Sequence, residues 1–430
     1  MILKTMRRNL RKHSARLKAS GIASVGRAAK ILAQELPKDW RVVVVDRNTH
    51  FNHLYVLPRV AVLPQHAYKA FIPYTSIFQG LTEPKPEDPQ KSPRVVLLQA
   101  QVTGLSPHSV TLSKAFPKYG IETPVLNFDY AIYSLGSHLP APINIWGPST
   151  DGKDLADSSG SKREGITWLA KFHSVIEKAP SVLVVGGGAL GIQYATDIAE
   201  AYPNKPVTLL HSREKLLPRF DDAMHKESER LDLSSVDQSQ PELGQVKTVK
   251  TLSGREISAG LVLLCTGQTP NTAIMKSLLP NSIVSDGSSK GKIRVKRSLQ
   301  VAVPDPEHSG NQTNEDDVNL SVPYPNLFAI GDAADAFGAM NAGHTARFQA
   351  EVAVHNILQL IRASESSVRT KPQLERYEAT PPGIKISLGL RKGLYQMNGE
   401  MAKTEVPEDL EATFMWRAFG VDTDNATLHK

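Results

Sequence analysis

The sequence predicts an α/β protein with parallel sheets, and three observations predict it. Short β-branched runs alternate with helix-length segments along most of the chain. Runs such as Val42–Val45 and Gly260–Cys265 are strand-sized and almost wholly apolar, as strands covered on both faces must be. A glycine-rich turn recurs at the same place in two separate strand–helix–strand stretches.

Residues 1–18 carry seven Lys and Arg and no acid. The whole chain has 50 basic and 43 acidic residues, so the net charge of +7 lies in that segment and the body is formally neutral. The basic pI of about 9.2 therefore describes one end, and no nucleic-acid surface is expected. The segment reads as a basic tail, either unstructured or a mitochondrial targeting sequence. Ile2 in place of glycine excludes N-myristoylation. No apolar run approaches the ~20 residues of a membrane-spanning helix. The single cysteine, Cys265, admits no internal disulfide or redox pair and points to a reducing setting, the cytoplasm.

The first glycine turn is Gly21-x-Ala23-x-x-Gly26, followed by a helix over 27–36 and a strand ending at Asp46. The residues before it, Arg11–Ser20, do not resemble a buried strand, so the first strand of this unit reads as missing. Residues 79–93, 147–163 and 303–325 are Pro-, Gly- and Ser-rich loops, the second an interdomain crossing. The second turn is Gly186-x-Gly188-x-x-Gly191, between the strand Ser181–Val185 and a helix over 192–202. Its first glycine permits the tight turn, its second admits a pyrophosphate to the backbone, and its third packs helix on strand. Such a turn in that context predicts a dinucleotide site; the bland reading is a tight turn that binds nothing.

Asp46 lies 25 residues after Gly21, and His211 lies 25 after Gly186. The first unit thus carries the acid that holds an adenosine ribose, and the second lacks it. Ser212 and Arg213 follow His211, and Arg213 either meets the 2′-phosphate of NADPH or is a solvated arginine; NADH is not excluded. Two further strands end in Thr266-Gly267 and Gly331-Asp332. Asp332 is placed to accept hydrogen bonds from a flavin's ribityl hydroxyls, with Gly331 allowing close approach.

With these motifs in hand, the chain resembles the FAD/NAD(P)-binding pyridine-nucleotide oxidoreductases. Within them it most resembles flavoproteins of the apoptosis-inducing-factor and ferroptosis-suppressor type. The matching stretches are HFNHLYVLPRVAVL at 50–63, KAFIPYT at 69–75, and SVLVVGGGALGIQYATDIAEAYPNKPVTLLHSR at 181–213. LVLLCTGQTPN at 261–271 and NLFAIGDAAD at 326–335 complete them. The resemblance implies an FAD domain over 19–150 and 289–365, an inserted NAD(P) domain over 151–288 and a small α+β piece over 366–430. It also implies that Arg59 and the Val102 backbone contact FAD. Ser134-Leu135-Gly136 departs from the family's Ala-Thr-Gly, and 221–251 is shorter than the family's helix and strand there.

The activity implied is transfer of electrons from NADPH or NADH through FAD to a small external acceptor such as a quinone. The alternative is a non-catalytic relative that senses nucleotides or binds partners. A dithiol-type reductase is excluded by the single cysteine. Phe172-His173-Ser174 lacks the glycine of a Baeyer–Villiger signature, and 343–349 only half resembles a type-II dehydrogenase quinone motif. No side chain stands out as a general acid or base, no metal-ligand cluster is present, and oligomeric state is not legible.

Overall fold

The computed structural model describes residues 2–5, 24–82, 93–145, 159–228, 246–251, 254–305, 319–366, 372–397 and 399–429. Gly21, Ala23 and the 229–245 stretch, where the chain reads as shortened, lie outside them.

The first unit is a five-stranded sheet. In space its order is Leu327–Ala329, Tyr130–Tyr133, Ile2–Thr5, Trp40–Asp46 and Val95–Gln99. In chain order we call these β1 (Ile2–Thr5), β2 (Trp40–Asp46), β3 (Val95–Gln99), β4 (Tyr130–Tyr133) and β5 (Leu327–Ala329). β2 pairs with β3 and β5 pairs with β4, both parallel. Helix α1 (Ser24–Glu35) covers one face, burying Ala28, Ala29 and Leu32. It packs on α5 (Gly343–Glu365), where Glu351 accepts Arg27 at 2.8 Å and Arg347 at 3.4 Å.

β1 corrects the expected tail at Ile2–Thr5, while residues 6–18 lie outside the described residues. Ile2–Thr5 is a central strand, antiparallel to both β2 (Ile2 opposite Val43) and β4 (Ile2 opposite Ala131). The first strand reads as missing over Arg11–Ser20, which lie outside the described residues. Its place is filled from elsewhere, because β2 and β4 sit two strand spacings apart, ~9–10 Å, with facing ladders to satisfy. A strand meets that need through its backbone in either direction.

The second unit is a three-stranded parallel sheet, with β6 (Val182–Val185) between β7 (Val207–Leu210) and β8 (Leu261–Leu264). All four residues of β6 are buried, as the apolar run predicts. Helix α2 (Lys162–Lys178) leads in and starts on a capping box. Ser161 Oγ accepts the Glu164 N–H, and Glu164 Oε2 accepts the Ser161 N–H. Helix α3 (Ala189–Ala201) follows the glycine turn, and the short helix α4 (Asp222–Ser228) follows β7. The C-terminal piece is a three-stranded antiparallel sheet over Ile384–Leu388, Lys392–Met397 and Glu400–Glu405, followed by a helix over Ala412–Ala418. This is the α+β segment expected there.

Candidate active site between the two nucleotide units

The second glycine turn is built as its sequence requires. Gly186 has φ of 115°, and a Cβ there would meet the Cys265 carbonyl oxygen at 2.3 Å. A Cβ on Gly191 would run into the Gly186 carbonyl, so the third glycine sets the approach of α3 to the turn. Nothing lies within 4 Å of a Cβ on Gly188, which leaves open space where a pyrophosphate would approach. The residues present fit a dinucleotide.

His211 ends the stretch in which an acid would hold the ribose. Its Nδ1 accepts the Gly187 N–H at 3.1 Å, and its Nε2 lies 3.1 Å from the Lys215 carbonyl, to which Nε2–H donates. That pattern fixes a neutral imidazole. Burial, with Arg213 beside it, lowers the His211 pKa against the opposing effect of the Lys215 carbonyl. Arg213 is exposed.

In the first unit, Gly26 is buried in the first turn of α1, as the third glycine of its motif should be. Asp46 ends β2; its Oδ1 accepts the Asn48 N–H at 2.8 Å and its Oδ2 the Tyr74 hydroxyl at 2.7 Å. Burial raises the carboxyl pKa against these two donors. The remaining lone pairs of the carboxylate stay free for ribose hydroxyls. Downstream, Asn48 Oδ1, Asn52 Oδ1 and His53 Nδ1 are buried without a hydrogen-bond partner. Bound ligand or water would satisfy such atoms. A small hollow is lined by Val45, Val102, Ser134, Leu135, Met275 and Phe328. The Asp46 carboxylate and these unpartnered polar atoms fit the hydroxyls of FAD.

Asp332 and Gly331 sit where the units meet. Gly331 has φ of 72°, and its N–H donates to Gln349 Oε1 of α5 at 2.7 Å. Ser137 Oγ lies 3.0 Å from Asp332 Oδ2 and 2.9 Å from Gln268 Oε1, and its one proton serves one acceptor at a time. Burial raises the Asp332 pKa, opposed by Ser137 and Lys292. Beside it, Ser137–His138 pairs antiparallel with Thr269–Pro270, the Asn271 amide donates to the Leu135 carbonyl at 2.9 Å, and Asn271 Oδ1 meets His138 Nδ1 at 2.7 Å. Strand ends of both units thus converge on Asp332. Sequence reading found the Thr-Gly and Gly-Asp ends but missed Ser137 and Gln268, whose roles exist only once the units meet.

Arg59 departs from the expected cofactor contact. It is fully buried, and its guanidinium is spent elsewhere. Nε donates to Asp197 Oδ2 at 3.0 Å, the two Nη to Asp197 Oδ1, the Gly389 carbonyl and the carbonyls of Pro407 and Glu408. All five donors are engaged, so none is left for FAD. Cys265, at the end of β8, has its thiol pushed up by burial. That is the reverse of a reactive thiolate.

Two nucleotide-binding α/β units that meet at their strand ends define a flavin- and nicotinamide-dependent oxidoreductase. The chain belongs to the pyridine nucleotide-disulphide oxidoreductase family, whose model matches residues 20–305. It is 41% identical over 419 residues to Fe-regulated protein 8 of Mycosarcoma maydis, covering 93% of each chain. It is 26% identical over 421 residues to human Ferroptosis suppressor protein 1, covering 92% of this chain and 93% of that one. The fold is shared with NDH2 from Plasmodium falciparum solved with NADH, at a TM-score of 0.60 and 12% identity over 94% of each chain. Its cofactors are FAD and a nicotinamide nucleotide. Among the described residues no helix is long and apolar enough to cross a membrane.

Proposed function

We propose that the chain moves electrons from NADPH or NADH to a small external acceptor of quinone type. The convergence of both units on Asp332 carries this reading. FAD, when bound, would supply the chemistry of hydride acceptance and onward electron transfer. The protein's part is to hold and orient. Gly186–Gly191 receives the nucleotide pyrophosphate, Asp46 the adenosine ribose and Asp332 the ribityl chain. One cysteine cannot relay electrons as a dithiol, so they leave to a partner molecule. Oxidation of NADPH and NADH against benzoquinones, ubiquinone analogues, ferricyanide and oxygen tests the reading. Turnover with ferricyanide but none with any quinone would defeat the acceptor assignment. We place the protein in the cytoplasm; mitochondrial recovery of a tagged copy would instead make the basic segment a targeting signal.

Two results are expected at the site. Asp332→Ala loses a charge-assisted hydrogen bond worth ~1.5–3 kcal/mol and retains roughly tenfold or more less flavin after gel filtration. Wild-type protein that stays colourless with added FAD would refute the flavin assignment. NADPH is expected to serve at least as well as NADH, because His211 stands where an acid would repel its 2′-phosphate. Arg213 is exposed, so Arg213→Ala is expected to weaken NADPH by ~1 kcal/mol or less and leave NADH unchanged. Equal loss for both nucleotides in a titration would remove Arg213 from this role.

A further inference from the structure

The loop from His211 to Leu217, which carries Ser212 and Arg213, is held by two imidazoles used as acceptors. His211 Nδ1 takes the Gly187 N–H at 3.1 Å, joining the loop to the middle of the glycine turn. His225, on α4, takes the Leu216 N–H on its Nδ1, also at 3.1 Å. The Leu217 N–H returns to the Gly187 carbonyl at 3.1 Å, and Leu217 is held at φ of 49°, in the left-handed region. That conformation is costly for a leucine and persists only while its surroundings impose it. The side chains of Leu216 and His211 roof Gly187 so closely that a Cβ there would lie 2.3 and 2.8 Å from them. Loop and turn are therefore one assembly, closed by two acceptors that exist only on neutral imidazoles.

We propose that His211 and His225 form a proton-sensitive clasp that positions the nicotinamide-nucleotide turn, so that acid loosens nucleotide binding. A proton on either Nδ1 sets N–H against N–H and breaks that closure. The charged groups on the packed elements are Arg213, Glu214 and Lys215 of the loop and Asp222, Lys226 and Glu227 of α4. Lys215 Nζ donates to Asp222 at 2.6 Å, which compensates that pair, while Arg213 stays exposed and opposes a second positive charge on His211. The glycine turn brings no ionisable side chain. Burial already disfavours charge on His211, so its part of the opening falls below the ordinary imidazole range. The neutral His211 imidazole, and with it the closed loop, therefore persists above its lowered pKa and is lost as pH falls through it.

The inference rests on Gly186–Gly191 being the nicotinamide-nucleotide site, and the test separates the two ideas. ADP-ribose is the probe, because its pyrophosphate keeps its charge over the range used and it carries no titrating 2′-phosphate. Its affinity for the full chain, supplied with saturating FAD, is measured by calorimetry at about pH 7.5 and about pH 5.5. Wild type is expected to bind about tenfold more weakly at the lower pH, the equivalent of one lost hydrogen bond. In the double variant His211→Asn, His225→Asn the amide oxygens replace the Nδ1 acceptors but do not titrate. Its ratio between the two pH values is expected within about twofold. Because that variant can fail to fold, hydrogen exchange of wild-type peptides covering 182–190 and 211–220 is the second readout. Both should lose protection together as pH falls, after correction for intrinsic rates. Binding that is pH-independent in wild type, tighter at low pH, or equally pH-dependent in the double variant overturns the clasp alone. No binding at any pH overturns the clasp together with the nucleotide site.

Discussion

Arg59→Met is expected to cost ~3–5 kcal/mol of stability at neutral pH, the largest effect of any single side chain considered. Arg59 stands in LPRVAV of the first unit, Asp197 lies on α3 of the second, and the carbonyls of Gly389, Pro407 and Glu408 belong to the C-terminal piece. One guanidinium thus ties three parts of the chain together. The substitution leaves the buried Asp197 carboxylate with the Ser387 hydroxyl as donor and strips the guanidinium from the Gly389, Pro407 and Glu408 carbonyls. Burial already holds the Asp197 carboxyl up at about 6, against Arg59 and Ser387, which favour its charge. Without Arg59 it rises further. A folded-state pKa above the unfolded value contributes stability below the unfolded pKa and loses it as pH rises through the folded one. The deficit of Arg59→Met should therefore shrink toward pH 5 and widen toward pH 8. The double variant Arg59→Met, Asp197→Leu should recover part of the loss, since replacing both charges removes the uncompensated one. Urea denaturation at the two pH values checks this. A midpoint unchanged from wild type would show that the pair contributes nothing net.

The second glycine turn was legible because every determinant is local. The strand, the three glycines and the helix lie within one short stretch, and each glycine's role follows from what touches its own Cα. The place of Asp46 at the end of β2 was legible from the apolar run before it, although the Tyr74 hydroxyl on one of its oxygens was not. Arg59 was misread for the opposite reason. Its neighbours are apolar, its partner Asp197 is 138 residues away, and the carbonyls it bonds lie beyond residue 388. Nothing in LPRVAV distinguishes an arginine facing a cofactor from one sealed inside a junction. Ser137 and Gln268 stayed hidden because neither has a function within its own unit. β1 was missed because a parallel strand was sought immediately before Gly21, whereas the sheet accepted an antiparallel one from the start of the chain.

Removing residues 1–5 should therefore damage the first unit, where removing a tail would not. Ile2–Thr5 has four register partners on β2 and two on β4, and no other strand lies between those two. Its loss strips the inner edges of both strands of backbone partners in the middle of a sheet. At ~1 kcal/mol net for each lost ladder bond, the deletion costs on the order of 5 kcal/mol, a large part of a domain's stability. Flavin retention should fall with it, because β2 presents Asp46 and β4 leads into Ser134 and Ser137. Leu3→Pro, which keeps the length and removes one N–H, should reproduce the direction at roughly 3 kcal/mol. The second unit makes its own sheet from β6, β7 and β8, so ADP-ribose binding should survive either change. A melting temperature and flavin content equal to wild type in both variants would return Ile2–Thr5 to the status of a tail.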